Sequence, residues 1–145
     1  MADGLRQNAE TPIRREEPDE HLDRLTHQII GAAIAVHRTL HAGLPESVYE
    51  QALAIELTER RIPYERQAKV NVFYRERLVG QGQMDLRIDR RRVVELKAVE
   101  QLHPKHPAQL RAYLAATSCR LGLLINFHEA LLKDGLHRLV HTPQG

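Results

Sequence analysis

The chain has 145 residues, a net charge of +2, 42% hydrophobic and 28% charged residues, the make-up of an ordinary globular protein with one core. Its single cysteine excludes an internal disulfide and fits a reducing compartment, and no apolar run approaches the ~20 residues that a membrane span needs. Charge is unevenly spread: residues 1–20 hold six acids and three bases, residues 58–97 eleven bases and six acids, a zone that either tracks phosphates or is a solvated surface.

Residues 1–19, with Pro12 and Pro18 and few apolar groups, read as a flexible arm without the apolar segment of a secretory signal. A cytoplasmic protein is expected, with one domain over residues 20–145. From about Asp19, Leu22, Leu25, Ile29, Ile30, Ala33, Val36 and Leu40 recur at helical intervals. The stretch His41-Ala42-Gly43-Leu44-Pro45 breaks that helix, with Gly43 suited to a left-handed turn and Pro45 to the start of the next. A second helix is expected to Arg61, with Val48, Ala52, Leu53, Ile55 and Leu57 inward, ended by Ile62-Pro63.

Val70, Val72 and Tyr74 then alternate with Lys69, Asn71 and Arg75, the period of a strand. Leu78 to Ile88 continues as extended chain, Asp89 to Arg91 reads as a turn, and Arg92 to Ala98 as the returning strand. Pro104 to Ser118 has a helical pattern with Leu110, Tyr113 and Leu114 on one side. Cys119 follows it as a small buried residue, and Leu121 to Phe127 is a short apolar run suited to a buried strand. Leu136 to Val140 is a candidate edge strand. This order describes a mixed sheet flanked by helices in an α/β fold, not the regular alternation of a doubly wound one.

The chemistry gathers at Gly82-Gln83-Met84-Asp85 and Val93-Val94-Glu95-Leu96-Lys97-Ala98. Residues i and i+2 of a strand share a face, so Glu95 and Lys97 project together, and a hairpin at Asp89 to Arg91 brings Asp85 beside Glu95. Two carboxylates so placed offer hard oxygen ligands to Mg2+ or Mn2+. Lys97 would orient a water or neutralise charge on a phosphate. Glu-x-Lys alone is weak, since a cross-strand ion pair on a charged hairpin gives the same spacing. The apolar neighbours Val93, Val94 and Leu96 strengthen it, because unpaired charge in such a strand is costly.

Taken with Gly43-Leu44-Pro45-Glu46-Ser47-Val48-Tyr49, Gln109-Leu110-Arg111-Ala112-Tyr113 and Gly122-Leu123-Leu124-Ile125-Asn126-Phe127, these segments resemble the PD-(D/E)xK nuclease superfamily and, within it, the small GxxExxY family. The likeness covers roughly residues 20–140. It implies a restriction-endonuclease-like core, with Asp85, Glu95 and Lys97 at the superfamily's acidic and Glu-x-Lys positions and Gln109 and Tyr113 in its RecB-like Gln-x-x-x-Tyr motif. Glu46, as the helical acid, would reach the metal, although a carboxylate in a first helical turn is also favoured by the dipole alone. Tyr49, one turn along, either bonds near the site or packs. Gln109 and Tyr113 share a helix face and would hold the lysine or touch a phosphate, unless Tyr113 is core and Gln109 solvated.

The resulting expectation is a Mg2+- or Mn2+-dependent deoxyribonuclease. Asp85 and Glu95 hold the ion with the Leu96 carbonyl, Lys97 is catalytic, Glu46 supports the site, and Arg90, Arg91 and Arg92 contact nucleic acid. The rival expectation is a non-catalytic module binding nucleic acid or protein on the same fold. So small a protein has little surface for sequence recognition, which leaves room for a protein partner that supplies specificity. His37 and His41 stand at the spacing of some zinc pairs but lack the partners of a tetrahedral set. No Walker-type phosphate loop is present.

Overall fold

The computed structural model describes residues 20–142, and side chains from residue 24. The expected arm, the side chain of Leu22 and the last three residues lie outside that range. Two helices, α1 (Glu20–Leu40) and α2 (Glu46–Glu59), precede three strands, β1 (Tyr64–Tyr74), β2 (Arg77–Ile88) and β3 (Arg92–Lys97). Helix α3 (Lys105–Thr117) then leads to β4 (Leu121–Asn126), a 3-10 turn (Leu132–Gly135) and β5 (Leu136–Val140).

The sheet runs β1-β2-β3-β4-β5, with β3 and β4 parallel and every other neighbouring pair antiparallel. The parallel pair requires a crossover, which α3 supplies. The fold is therefore α/β, a mixed five-stranded sheet with helices on both faces, as the order of patterns predicts.

Each face has its own core. Leu25, Ile29 and Val36 of α1 and Leu53 and Leu57 of α2 pack on Leu86, Ile88, Val94, Leu96, Leu123 and Ile125. Leu110 and Leu114 of α3 pack on Ala68, Val70, Met84, Val93, Leu124 and Leu139 of the opposite face. Side chains such as Ile29, Leu53 and Leu110, with no exposed surface, each contribute about 1.5–3 kcal/mol by leaving water. Cys119 is buried in the second core.

Two local expectations are corrected. In α2 the buried face is Tyr49, Glu50, Leu53, Ala54 and Leu57, while Val48 and Ile55 are exposed. The helix is rotated from the expected stripe because its i, i+4 row begins at Tyr49, whose ring is the larger group to bury. The left-handed residue that closes α1 is His41 at φ 61, whose N–H donates to the His37 carbonyl; Gly43 follows at φ 113 within the loop.

Gly135 sits where a Cβ would run into the Asn126 carbonyl oxygen. Gly135→Ala must therefore move backbone on one side or the other. It should lower stability by about 1–3 kcal/mol or more, read as an earlier urea midpoint, and an unchanged midpoint would refute the close packing described.

Candidate active site

The β2–β3 ladder supplies the geometry. Its backbone pairing runs Ile88↔Arg92, Arg87↔Val93 and Leu86↔Val94 and then stops. One step further, side chains take over from the backbone. The Asp85 N–H donates to Glu95 Oε2 at 3.1 Å, and the Leu96 N–H donates to Asp85 Oδ2 at 2.7 Å. Each carboxylate thus satisfies an amide that the opened ladder would have orphaned, and each is fixed by the other's strand.

The opening continues into β1. Tyr64, Glu65 and Arg66 pair with Ile88, Arg87 and Leu86, and Ala68 with Met84, but Gln67 and Asp85 are skipped. Gln67 has a left-handed φ of 51. Across this step Leu86 faces the α1–α2 core and Met84 the α3 core, so strict alternation fails where Asp85 stands. Glu50 braces the kink: its Oε2 accepts from Arg66 Nε at 3.0 Å and its Oε1 from Gln67 Nε2 at 2.9 Å. Glu50 is buried although charged, and its charge acts on Asp85.

In β3, Val93 packs in the α3 core while Val94 and Leu96 pack in the other. Period two then turns Glu95 and Lys97 to the α3 face. Behind Lys97 the chain is locked: its carbonyl accepts from the Phe127 N–H at 2.8 Å, and buried Asn126, its partner on β4, exchanges bonds with Val99. Asn126 and Glu50 were missed by sequence reasoning. Asn126 lay in a motif segment with no role attached, and Glu50 stands beside Tyr49, so its helix position alone gave a usable signal.

Burial, then the charge of Asp85, pushes the Glu95 carboxyl up to about 8, against the lowering effects of the Asp85 amide and Lys97. Burial also raises Asp85, with Glu50 and Glu46 adding to it and the Leu96 amide and Lys97 opposing. The Lys97 ammonium closes no ion pair among the described residues. It acts on both carboxylates through space.

Glu46 starts α2, half-buried, with Oε2 accepting from the Ala98 N–H at 3.3 Å. That contact joins the start of α2 to the end of β3, immediately beyond Lys97. Tyr49 has a different task. Its ring stacks on Phe127 with centroids 4.4 Å apart, and its hydroxyl donates to the His41 carbonyl and accepts from the Leu44 N–H. Tyr49 pins the loop that delivers Glu46. His106, at the start of α3, is held below its usual range by burial first, then by Lys97 and Lys105, so it borders the same charges. Its Nδ1 also accepts from the His103 N–H.

Other expected residues fall elsewhere. Arg92 is 3% exposed, and its Nε donates to the Thr26 hydroxyl of α1 at 2.8 Å. It shares the register of Val94 and Leu96, which turns it inward, so the nucleic-acid contact expected of it is corrected. Arg90 and Arg91 are exposed in the turn at the opposite end of the β2–β3 pair from Asp85. Gln109 is exposed and Tyr113 half-buried, and no hydrogen bond joins either to Asp85, Glu95 or Lys97 among the described residues. Tyr113 lies instead on Gly82, where a Cβ would meet its hydroxyl at 2.6 Å. His37 spends Nε2 on the Glu129 carbonyl.

The donor set fits a hard divalent cation. The charge of Asp85 raises the proton affinity of Glu95, and a cation held by both carboxylates would reverse that penalty. No group of three or more His, Cys, Asp or Glu side chains converges among the described residues, so an ion here would complete its shell with water and carbonyl oxygen. No helix among the described residues is long and apolar enough to cross a membrane.

In comparison with known families, the chain matches a family described as the PD-(D/E)XK nuclease superfamily, over residues 23–139. Neither a curated protein nor a solved structure matches the chain.

Proposed function

The chain belongs to the PD-(D/E)XK nuclease superfamily, and from that premise we propose that it is a Mg2+- or Mn2+-dependent phosphodiesterase acting on DNA, of the GxxExxY group. The observation that carries the reading is the pair of bonds where the β2–β3 ladder opens, from the Asp85 N–H to the Glu95 carboxylate and from the Leu96 N–H to the Asp85 carboxylate. In this reading Asp85 and Glu95 bind the ion with the Leu96 carbonyl. When bound, the ion polarises a phosphoryl oxygen and lowers the pKa of a water on it.

The protein's own part is positioning and charge. Lys97, which closes no ion pair among the described residues, orients the attacking water and offsets negative charge developing on the phosphate. Glu46 holds the Ala98 amide, which fixes the end of β3 as the attack proceeds. Tyr49 supports Glu46 through the loop it pins, Gln109 and Tyr113 would touch a phosphate, and Arg90 and Arg91, in the exposed turn at the far end of the β2–β3 pair, would meet nucleic acid away from the reacting bond. A reducing, cytoplasmic setting suits the buried lone Cys119. A protein partner would supply any sequence specificity.

The test presents the full chain, with Mg2+ or Mn2+, to single- and double-stranded DNA and RNA, alongside calorimetric titration of each ion. Cleavage of DNA, lost in Asp85→Ala together with ion binding, is expected. Ion binding without cleavage of any nucleic acid would overturn the enzyme, and no ion binding even with DNA present would leave an interaction module.

A further inference from the structure

Beyond Asp85, β1 and β2 continue as a two-stranded ribbon whose outer part carries exposed apolar side chains: Phe73, Tyr74, Leu78 and Val79, each more than half exposed, and Val72. The tip is tight and left-handed, with Arg75 at φ 50 and Glu76 at φ 68, so the arm ends in a defined turn. Its two faces differ. Ala68 and Val70 are buried against α3; the register shift at Val72/Phe73 leaves the extra residue, Val79, on β2, so period two along β1 continues their row through Val72 to Tyr74. Cross-strand partners share a face, so Gly82, Gly80 and Arg77 belong with that row, and Leu78 belongs with Phe73 on the other.

The first face is the one that carries Glu95 and Lys97. From the carboxylates outward it presents Tyr113, lying on Gly82, then Gly80, where a Cβ would meet nothing within 4 Å. Val72 stands across from Gly80, beyond that open floor come Tyr74 and Arg77, and the Arg75 guanidinium sits over the Tyr74 ring at 5.4 Å. From Asp85 to Arg77 this is about 26 Å of strand at the usual rise. It combines two tyrosine rings, a bare strip of backbone and two exposed arginines, with the exposed Glu76 at the tip.

We infer that this face of the ribbon is a track for single-stranded nucleic acid leading to Asp85, Glu95 and Lys97, an inference that rests on the phosphodiesterase reading. Tyr74, backed by Arg75, and Tyr113 give bases flat surfaces to stack on, which any base satisfies. Arg75 and Arg77 meet the phosphates. The strip at Gly80 lets the strand pass close to the sheet. A duplex offers no unstacked bases to these rings, so the arrangement selects unpaired strands.

The test measures binding of fluorescent single-stranded and blunt duplex oligonucleotides to the full chain in EDTA, where no cleavage is needed. Single strands should bind more tightly. Tyr74→Ala should weaken that binding by about tenfold or more, and Arg77→Ala should weaken it and flatten its salt dependence. Phe73→Ala, on the other face, should leave it unchanged. The track is overturned if duplex binds as well as single strand, if Tyr74→Ala loses nothing, or if Phe73→Ala loses as much. It is also overturned if sedimentation shows a dimer that Tyr74→Ala dissolves, which makes the arm a self-association surface. Single-strand binding without cleavage by any ion would sink the enzyme reading and leave the track.

Discussion

Replacing Lys97 with methionine is expected to remove most ion-dependent cleavage while leaving the fold and the ion affinity in place. Lys97 is only half-buried and closes no ion pair among the described residues, so an isosteric apolar chain breaks no contact that holds the sheet together. Its charge does reach both carboxylates. Losing one such preorganised charge costs about 10²- to 10³-fold in kcat. Affinity for Mn2+ should hold or improve, because an ammonium beside the site opposes a second cation. Arginine should rescue poorly, since its planar fork does not replace a compact ammonium. The contrast with Asp85→Ala, which should lose ion binding itself, is the informative part. If Lys97→Met cleaves at the wild-type rate, the lysine has no chemical role.

Without metal, the protein should lose stability as pH rises from about 4.5 to about 8. A free glutamate releases its proton near 4.5, but Glu95 in the folded chain holds it up to about 8. Within that window the folded state binds the extra proton, so raising the pH favours unfolding, and above it the loss is complete. Asp85 shifts in the same direction. The effect is on the order of a few kcal/mol, enough to move a melting temperature by several degrees. Glu95→Gln should flatten this slope and melt higher than wild type at pH 8. Mn2+ should restore the wild type most at high pH, because an ion competes with the proton for the same oxygens. Parallel melting profiles for wild type and Glu95→Gln would show that no buried carboxylate is being forced to ionise.

Much of this was legible because it depends on short-range periodicity. The alternation of Val70, Val72 and Tyr74 in β1, the helical stripe of Leu25, Ile29 and Val36, and the i, i+2 pairing of Glu95 with Lys97 all follow from where successive side chains point. The sequence of elements therefore appears in the expected order, and Asp85 does stand beside Glu95. What was hidden depends on contacts between distant segments. Nothing near Gln67 announces its left-handed backbone, because a carboxylate on α2 helps hold it there. Arg92 reads as one of three surface arginines until Thr26 of α1 is found above it. Tyr49 reads as a site residue by its motif, but its hydroxyl is committed to His41 and Leu44.

The kink at Gln67 has a consequence away from catalysis. β1 is an outer strand of the sheet, eleven residues long, and an uninterrupted free edge of that length is a template on which other chains assemble into fibrils. Here the edge is broken at Gln67, carries the exposed Lys69, and loses register again between Val72 and Phe73. No straight row of amides and carbonyls survives long enough to recruit a stranger. The irregularity beside Asp85 thus also interrupts the border on which other chains could assemble.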